Sequence, residues 1–176
     1  MTQRPRITAF GSSRTDIDPS IAKDVHQLGQ SLAEAGWDGM VGGYQGLMAA
    51  FCAGMRAGGG HVRGVTLACF PTPPTHRLSE EVRAQNFFER MGTLIEQADA
   101  YLVLPGGLGT LAELAMTWDL LAIHILRDRP LILYGARWRR LLDTLNETLF
   151  FSSPHAMDYV HCCDNAREAL RCLRAP

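Results

Sequence analysis

The residues with the clearest chemical potential are a glycine-rich turn and the carboxylate that follows it, Pro105-Gly106-Gly107-Leu108-Gly109-Thr110-Leu111-Ala112-Glu113. The turn comes after the apolar run Ala100–Leu104 and opens a long helical pattern. A buried strand, a glycine turn and a helix together leave several backbone N–H groups unpaired and aimed at one point, where the helix dipole also favours an anion. Glycines admit a phosphate close to the backbone, and Thr110 puts a hydroxyl where a helix takes its cap. Glu113 follows about one turn into the helix, within reach of whatever that phosphate carries. The plain alternative is a chain reversal in which Glu113 only complements the dipole.

The elements that position this turn are legible as alternating periods. Strands are expected at Arg6–Phe10, Gly39–Val41, Val62–Ala68, Ala100–Leu104, Pro130–Tyr134 and Asp158–His161, separated by segments of helical period. That alternation predicts an α/β fold, a doubly wound parallel sheet with helices on both faces. The first helix runs from about Pro19 to Ala35 and the last over Asn165–Leu173. In such sheets ligands bind beyond the carboxyl ends of the strands, where the winding reverses. Three glycine-containing turns fall at such ends: Gly11-Ser12-Ser13-Arg14, Gly42-Gly43-Tyr44-Gln45-Gly46-Leu47-Met48, and Pro105–Thr110. The irregular stretch Phe70–Leu78 contains three prolines and, following the third strand, is a candidate lid over the sheet.

Composition narrows the classes. A chain of 176 residues, 47% hydrophobic and 20% charged, is expected to form one globular domain over residues 1–176. A net charge of −1 gives no basic footprint for nucleic acid, so a small phosphorylated ligand is the expected partner. The N-terminus leads into a strand without an apolar signal, and no run has a membrane span's length, so a cytoplasmic protein without membrane attachment is expected. The five cysteines form no C-x-x-C pair and are expected to be buried structurally; Cys162 and Cys163 would face opposite sides of a strand. No histidine falls at metal-ligand spacing, so no metal is expected; His124 reads as a satisfied core or interface residue.

Two nucleotide motifs fail. Gly107-Leu108-Gly109-Thr110-Leu111-Ala112 fits a dinucleotide fingerprint, but the next strand ends Leu133-Tyr134-Gly135 without the acidic residue that fingerprint needs. A P-loop needs a lysine after its last glycine, and the only lysine is Lys23 on the first helix. That same absence argues against a pyridoxal-phosphate Schiff base, and no cofactor is expected.

Taken together, Gly11-Ser12-Ser13, Gly42 to Met48, Arg90 ahead of Ala98-Asp99-Ala100, and Pro105 to Glu113 resemble the LOG (Lonely Guy) family over nearly the whole chain. The resemblance implies a Rossmann-like fold and homodimers. It also implies release of a base from a nucleoside 5′-monophosphate, with plant members acting on cytokinin ribotides and bacterial members often mislabelled lysine decarboxylases. By position it places the catalytic pair on Arg90 and Glu113. The phosphate loop falls on Gly106, Gly107, Gly109 and Thr110, and Gly11, Ser12, Ser13, Gly43, Gly46 and Met48 complete the nucleotide site. Three positions depart from the family pattern: Met91 where a lysine is usual, Ala112 where a second glutamate is usual, and Tyr44 in place of a third glycine. These bring the chain toward the molybdenum-cofactor carrier-like subgroup, in which Glu113 to Trp118 is the more familiar form.

Chemically, N-glycosidic hydrolysis passes through an oxocarbenium-like state. It needs a fixed phosphate, a carboxylate near the anomeric carbon and help for the departing base. Glu113 supplies the carboxylate. Arg90 suits the phosphate or ribose, or pairs with Glu113 to keep it ionised; its plain alternative is a surface ion pair with Glu89 or Glu96. The segment Leu111–Leu126 is apolar around most of its circumference, which fits core packing through Trp118, Leu121, Ala122, Ile125 and Leu126 or, with the resemblance, a subunit interface. The leading expectation is a phosphoribohydrolase acting on AMP or a related monophosphate; the rival is a non-catalytic carrier of a nucleotide or pterin cofactor.

Overall fold

The computed structural model describes residues 4–73 and 76–174. Seven strands, β1 (Arg6–Phe10), β2 (Asp38–Val41), β3 (Val62–Leu67), β4 (Glu80–Ala84), β5 (Ala100–Val103), β6 (Leu131–Tyr134) and β7 (Val160–Cys163), form one parallel sheet in the order β4-β3-β2-β1-β5-β6-β7. Six helices accompany them: α1 (Pro19–Glu34), α2 (Gly46–Ala57), α3 (Phe87–Glu96), α4 (Leu108–Ala122), α5 (Arg137–Thr148) and α6 (Ala166–Arg174). The winding reverses between β1 and β5, the site where such sheets open a crevice.

Alternation along the buried strands sorts side chains to two cores. Ile7, Ala9 and Val41 meet α1, α2 and α6, whereas Phe10, Met40, Tyr101 and Val103 meet α3, α4 and α5. Cys162 and Cys163 fall on these two opposite sides, as a strand requires. Helices α1 and α2 approach so closely that a Cβ on Gly54 would lie 2.0 Å from the His26 carbonyl oxygen, and one on Gly29 2.7 Å from that of Phe51. Helices α1 and α6 start under side-chain caps: Asp18 accepts from the Ser20 amide at 2.8 Å, and at α6 Asn165 accepts from the Glu168 amide at 3.0 Å while Glu168 accepts from the Asp164 amide at 2.8 Å.

Several expectations need correction. Strand β4 is absent from the sequence reading because Glu80, Glu81 and Arg83 hide its period; as an edge strand it tolerates charge on its open side. It is reached without a helix, by the Pro-rich segment. That segment returns to the foot of the sheet, where the Ser79 amide donates to the Val62 carbonyl at 2.8 Å and Leu78 covers Gly64. The stretch read as a lid is therefore a crossover whose first residues alone border the crevice; Pro74 and Thr75 lie outside the described residues. The last strand begins at Val160, because Ala156–Tyr159 winds into a short 3₁₀ turn. Helix α4 starts at Leu108 and stops at Ala122, and His124 takes a left-handed φ of 59° just beyond it. His124 is exposed, its Nδ1 3.2 Å from the Tyr159 hydroxyl, so it is satisfied without belonging to the core. Cys69 is exposed, against the expectation that the cysteines are buried, and the thiols of Cys163 and Cys172 lie 3.6 Å apart.

Candidate functional site

The carboxyl ends of β1, β2, β3 and β5 open into one cavity of about 1080 Å³, just above the range typical of small-molecule sites. Its anion corner is built by the turn from β5 into α4. Gly107 caps α4 without a side-chain hydrogen bond, so the amides of the first turn are left for a ligand. A Cβ on Gly107 or Gly109 would meet no protein atom within 4 Å, so both glycines face open space. Gly106 differs: a Cβ there would lie 2.1 Å from the Thr110 hydroxyl, which makes it the glycine that lets Thr110 fold back over the turn. The first turn is tied to this corner by the Ser12 amide donating to the Pro105 carbonyl at 3.1 Å. Helices α2, α4 and α5 all lack side-chain caps and all begin at the cavity rim.

Glu113 sits one turn into α4 and is 8% exposed. Its Oε1 accepts from the Arg90 guanidinium at 3.3 Å. Arg90 is fixed from behind by two carbonyls, donating to Gly42 at 2.9 Å and to Val65 at 3.2 Å. A Cβ on Gly42 would stand 1.9 Å from the guanidinium, so that glycine makes the room Arg90 occupies. Glu89 and Glu96, the alternative partners, make no ion pair with it. Burial pushes the Glu113 carboxyl above the usual glutamate range, and the Arg90 charge and hydrogen bond offset only part of that rise. Arg90 thus acts in the expected direction, favouring the ionised carboxylate, against a larger rise from burial.

Eleven of the twelve expected site residues line the cavity: Gly11, Ser12, Ser13, Gly43, Met48, Arg90, Gly106, Gly107, Gly109, Thr110 and Glu113. Gly46 does not. With φ 60° and a Cβ that would fall 2.3 Å from the Ser12 carbonyl, it packs the second turn against the first behind the cavity. Gly42, named from the sequence only as part of the second turn, also borders the cavity, as do Thr66, Phe87 and Arg137, which the sequence reading did not single out. Gly42 is the first of a glycine pair ending a strand, and Phe87 follows the capping residue Asn86, whose side chain accepts from the Glu89 amide; Thr66 and Arg137 carry no local motif. Lys23 is exposed on α1 and lies outside the cavity lining, so no lysine is available for a Schiff base there. Among the described residues no three His, Cys, Asp or Glu side chains gather to hold a metal ion, and no helix is long and apolar enough to cross a membrane.

The sequence profile of a family described as "Possible lysine decarboxylase" matches residues 48–173. The chain is 34% identical over 175 residues to the cytokinin riboside 5′-monophosphate phosphoribohydrolase LOG7 of Arabidopsis thaliana, covering 96% of this chain and 80% of that protein. It is 31% identical over 156 residues to the cytokinin riboside 5′-monophosphate phosphoribohydrolase of Mycobacterium tuberculosis, covering 82% and 81%. Its fold is similar to that of the molybdenum cofactor binding protein of Rippkaea orientalis, with a TM-score of 0.77 and 19% identity over 97% of this chain and 96% of that one.

Proposed function

This chain belongs to the LOG family, and from that premise we propose that it is a nucleoside 5′-monophosphate phosphoribohydrolase, an enzyme that hydrolyses the N-glycosidic bond to release a base and ribose 5-phosphate. The observation that carries the reading is the Arg90–Glu113 pair, 3.3 Å apart, set beside the uncapped start of α4 and the open faces of Gly107 and Gly109. The 5′-phosphate binds at the Gly109 and Thr110 amides, where the helix dipole and unpaired N–H groups favour an anion. That anchor holds the ribose with its anomeric carbon toward Glu113. As the bond to the base lengthens, positive charge gathers on the sugar and ionised Glu113 steadies it. Water then adds to the anomeric carbon and gives its proton to the carboxylate, while the base leaves with its bonding electron pair and takes up a proton. Arg90, held by Gly42 and Val65, sets where that carboxylate stands.

The departures from the family pattern leave this pair intact. Met91 is 1% exposed and packs among Leu94, Tyr101 and Leu114, facing the core. Ala112 is exposed and lies outside the cavity lining, so a carboxylate missing there is not missing from beside Glu113. One sheet containing every strand among the described residues supports reading the chain as a single domain, and five free thiols fit a reducing, cytoplasmic setting. We also read it as a homodimer through the outward face of α4. Incubation of the pure protein with AMP should release adenine and ribose 5-phosphate, whereas adenosine should remain intact. Chromatography showing no base from any nucleoside monophosphate over long incubation overturns the enzyme reading in favour of a carrier.

A further inference from the structure

We propose that Tyr44 is an aromatic platform on which the planar base of the ligand stacks, held in place by a cluster of hydrogen bonds centred on Glu81; the proposal rests on the nucleotide reading above. Tyr44 lines the cavity and is half-buried. Its hydroxyl donates to Glu81 Oε1 and lies 3.1 Å from the Thr72 hydroxyl. Glu81 also accepts from Thr66 at 2.6 Å, from Thr72 at 3.0 Å and from Arg83 at 3.3 Å. Arg83 in turn donates to the Ala68 and Phe70 carbonyls at 3.0 and 2.7 Å, so the same cluster pins the start of the crossover. The His76 ring packs beside the phenol, centroids 6.0 Å apart. The tyrosine is thus fastened at both ends, by its backbone in the turn after β2 and by its hydroxyl to β4. A ring ordered before binding costs little further side-chain entropy when a ligand arrives.

The direction of the ligand follows from strand order. Across the top of the sheet the elements run β5, β1, β2, β3. The anion corner stands over β5; Glu113 reaches Arg90, Arg90 reaches the carbonyl of Gly42, and Tyr44 follows two residues later. A nucleotide with its phosphate on the α4 amides and its anomeric carbon at Glu113 therefore lays its base over the β2 turn, against Tyr44. Beyond it the wall is Leu67, Phe70 and Pro71, apolar and aromatic, which suits a heteroaromatic base and not a second charged group. Base stacking on an aromatic ring is tolerant of base identity, so the platform sets affinity for planar bases as a class.

Calorimetry with AMP and with ribose 5-phosphate, in a Glu113→Gln background where AMP is consumed too slowly to disturb a titration, separates the platform from a structural strut. Tyr44→Leu is expected to weaken AMP roughly tenfold or more, in line with one lost base–aromatic stack, while ribose 5-phosphate binds as before. Tyr44→Phe keeps the ring and should lose less than Tyr44→Leu. The platform is overturned if Tyr44→Leu leaves AMP affinity unchanged, or if it weakens both ligands equally, the mark of a wall that has merely collapsed. If neither ligand binds the parent protein, the nucleotide reading falls and takes the platform with it.

Discussion

At Glu113 burial and charge act in opposite directions, and the balance decides what the residue does. Desolvation raises its pKa and Arg90 lowers it by less, so the folded-state pKa lies above that of an exposed glutamate. A group raised in this way stabilises the fold fully below its unfolded pKa and loses that contribution as pH rises through the folded value. Function has the opposite sign, because the mechanism needs the ionised form. The rate should therefore climb with pH along an acid limb placed above about 4.3, the ordinary glutamate pKa. Glu113→Gln keeps shape and most hydrogen bonding but removes the charge, so turnover should fall by at least about 10²-fold, with little loss of AMP affinity. The acid limb should vanish from whatever rate remains. A Glu113→Gln protein with wild-type turnover, or with an unchanged acid limb, would remove the residue from the mechanism.

Among the elements, the parts of the fold that sequence reveals are those whose cause is local. All six expected strands, the first helix and the last sit within two residues of their expected ends, since an apolar run or a cap defines each of them. The turn from β5 into α4 was legible for the same reason, with glycines and Thr110 in one contiguous stretch. What stayed hidden depends on contacts distant in sequence. Strand β4 is charged and gains its place only by pairing with β3, and Gly42 shows its purpose only when Arg90, 48 residues away, fills the space of its missing side chain. The α1–α2 contact is of this kind too. A Cβ at Gly54 would lie inside van der Waals distance of backbone, which cannot swing aside as a side chain does. Gly54→Ala should cost about 1–3 kcal/mol, the range for overpacking, and lower the melting temperature by roughly 2–4 °C for each kcal/mol. A thermal melt coincident with that of the parent would show that the two helices can separate without penalty. Since α2 begins at the cavity, the same variant should also loosen the second turn and weaken AMP binding.

For the whole molecule, the helix that carries Glu113 also carries apolar surface that the sheet does not cover. The inner face of α4 buries Leu114, Trp118 and Leu121, whereas Ala112, Ala115 and Met116 point outward, with Ile123 exposed just past its end. Leu108 at its start is 85% exposed, and Phe88 on α3, which packs on the same side of the sheet, is 78% exposed. Small residues beside a methionine let a second helix approach closely, and a two-fold axis would repeat the contact with one patch on both subunits. Because Leu108 and Phe87 also border the cavity, such a pairing would bring the two sites close to the shared face. The protein is expected to sediment at twice the monomer mass at micromolar concentration. Met116→Glu should place a charge on the symmetry-related contact twice over and shift the protein toward monomer while its circular dichroism stays native. A parent protein that sediments as a monomer, or a Met116→Glu variant that remains dimeric, would count against α4 as the joining face. Loss of AMP turnover together with the dimer would tie the site to assembly, because Met116 itself lies outside the cavity lining.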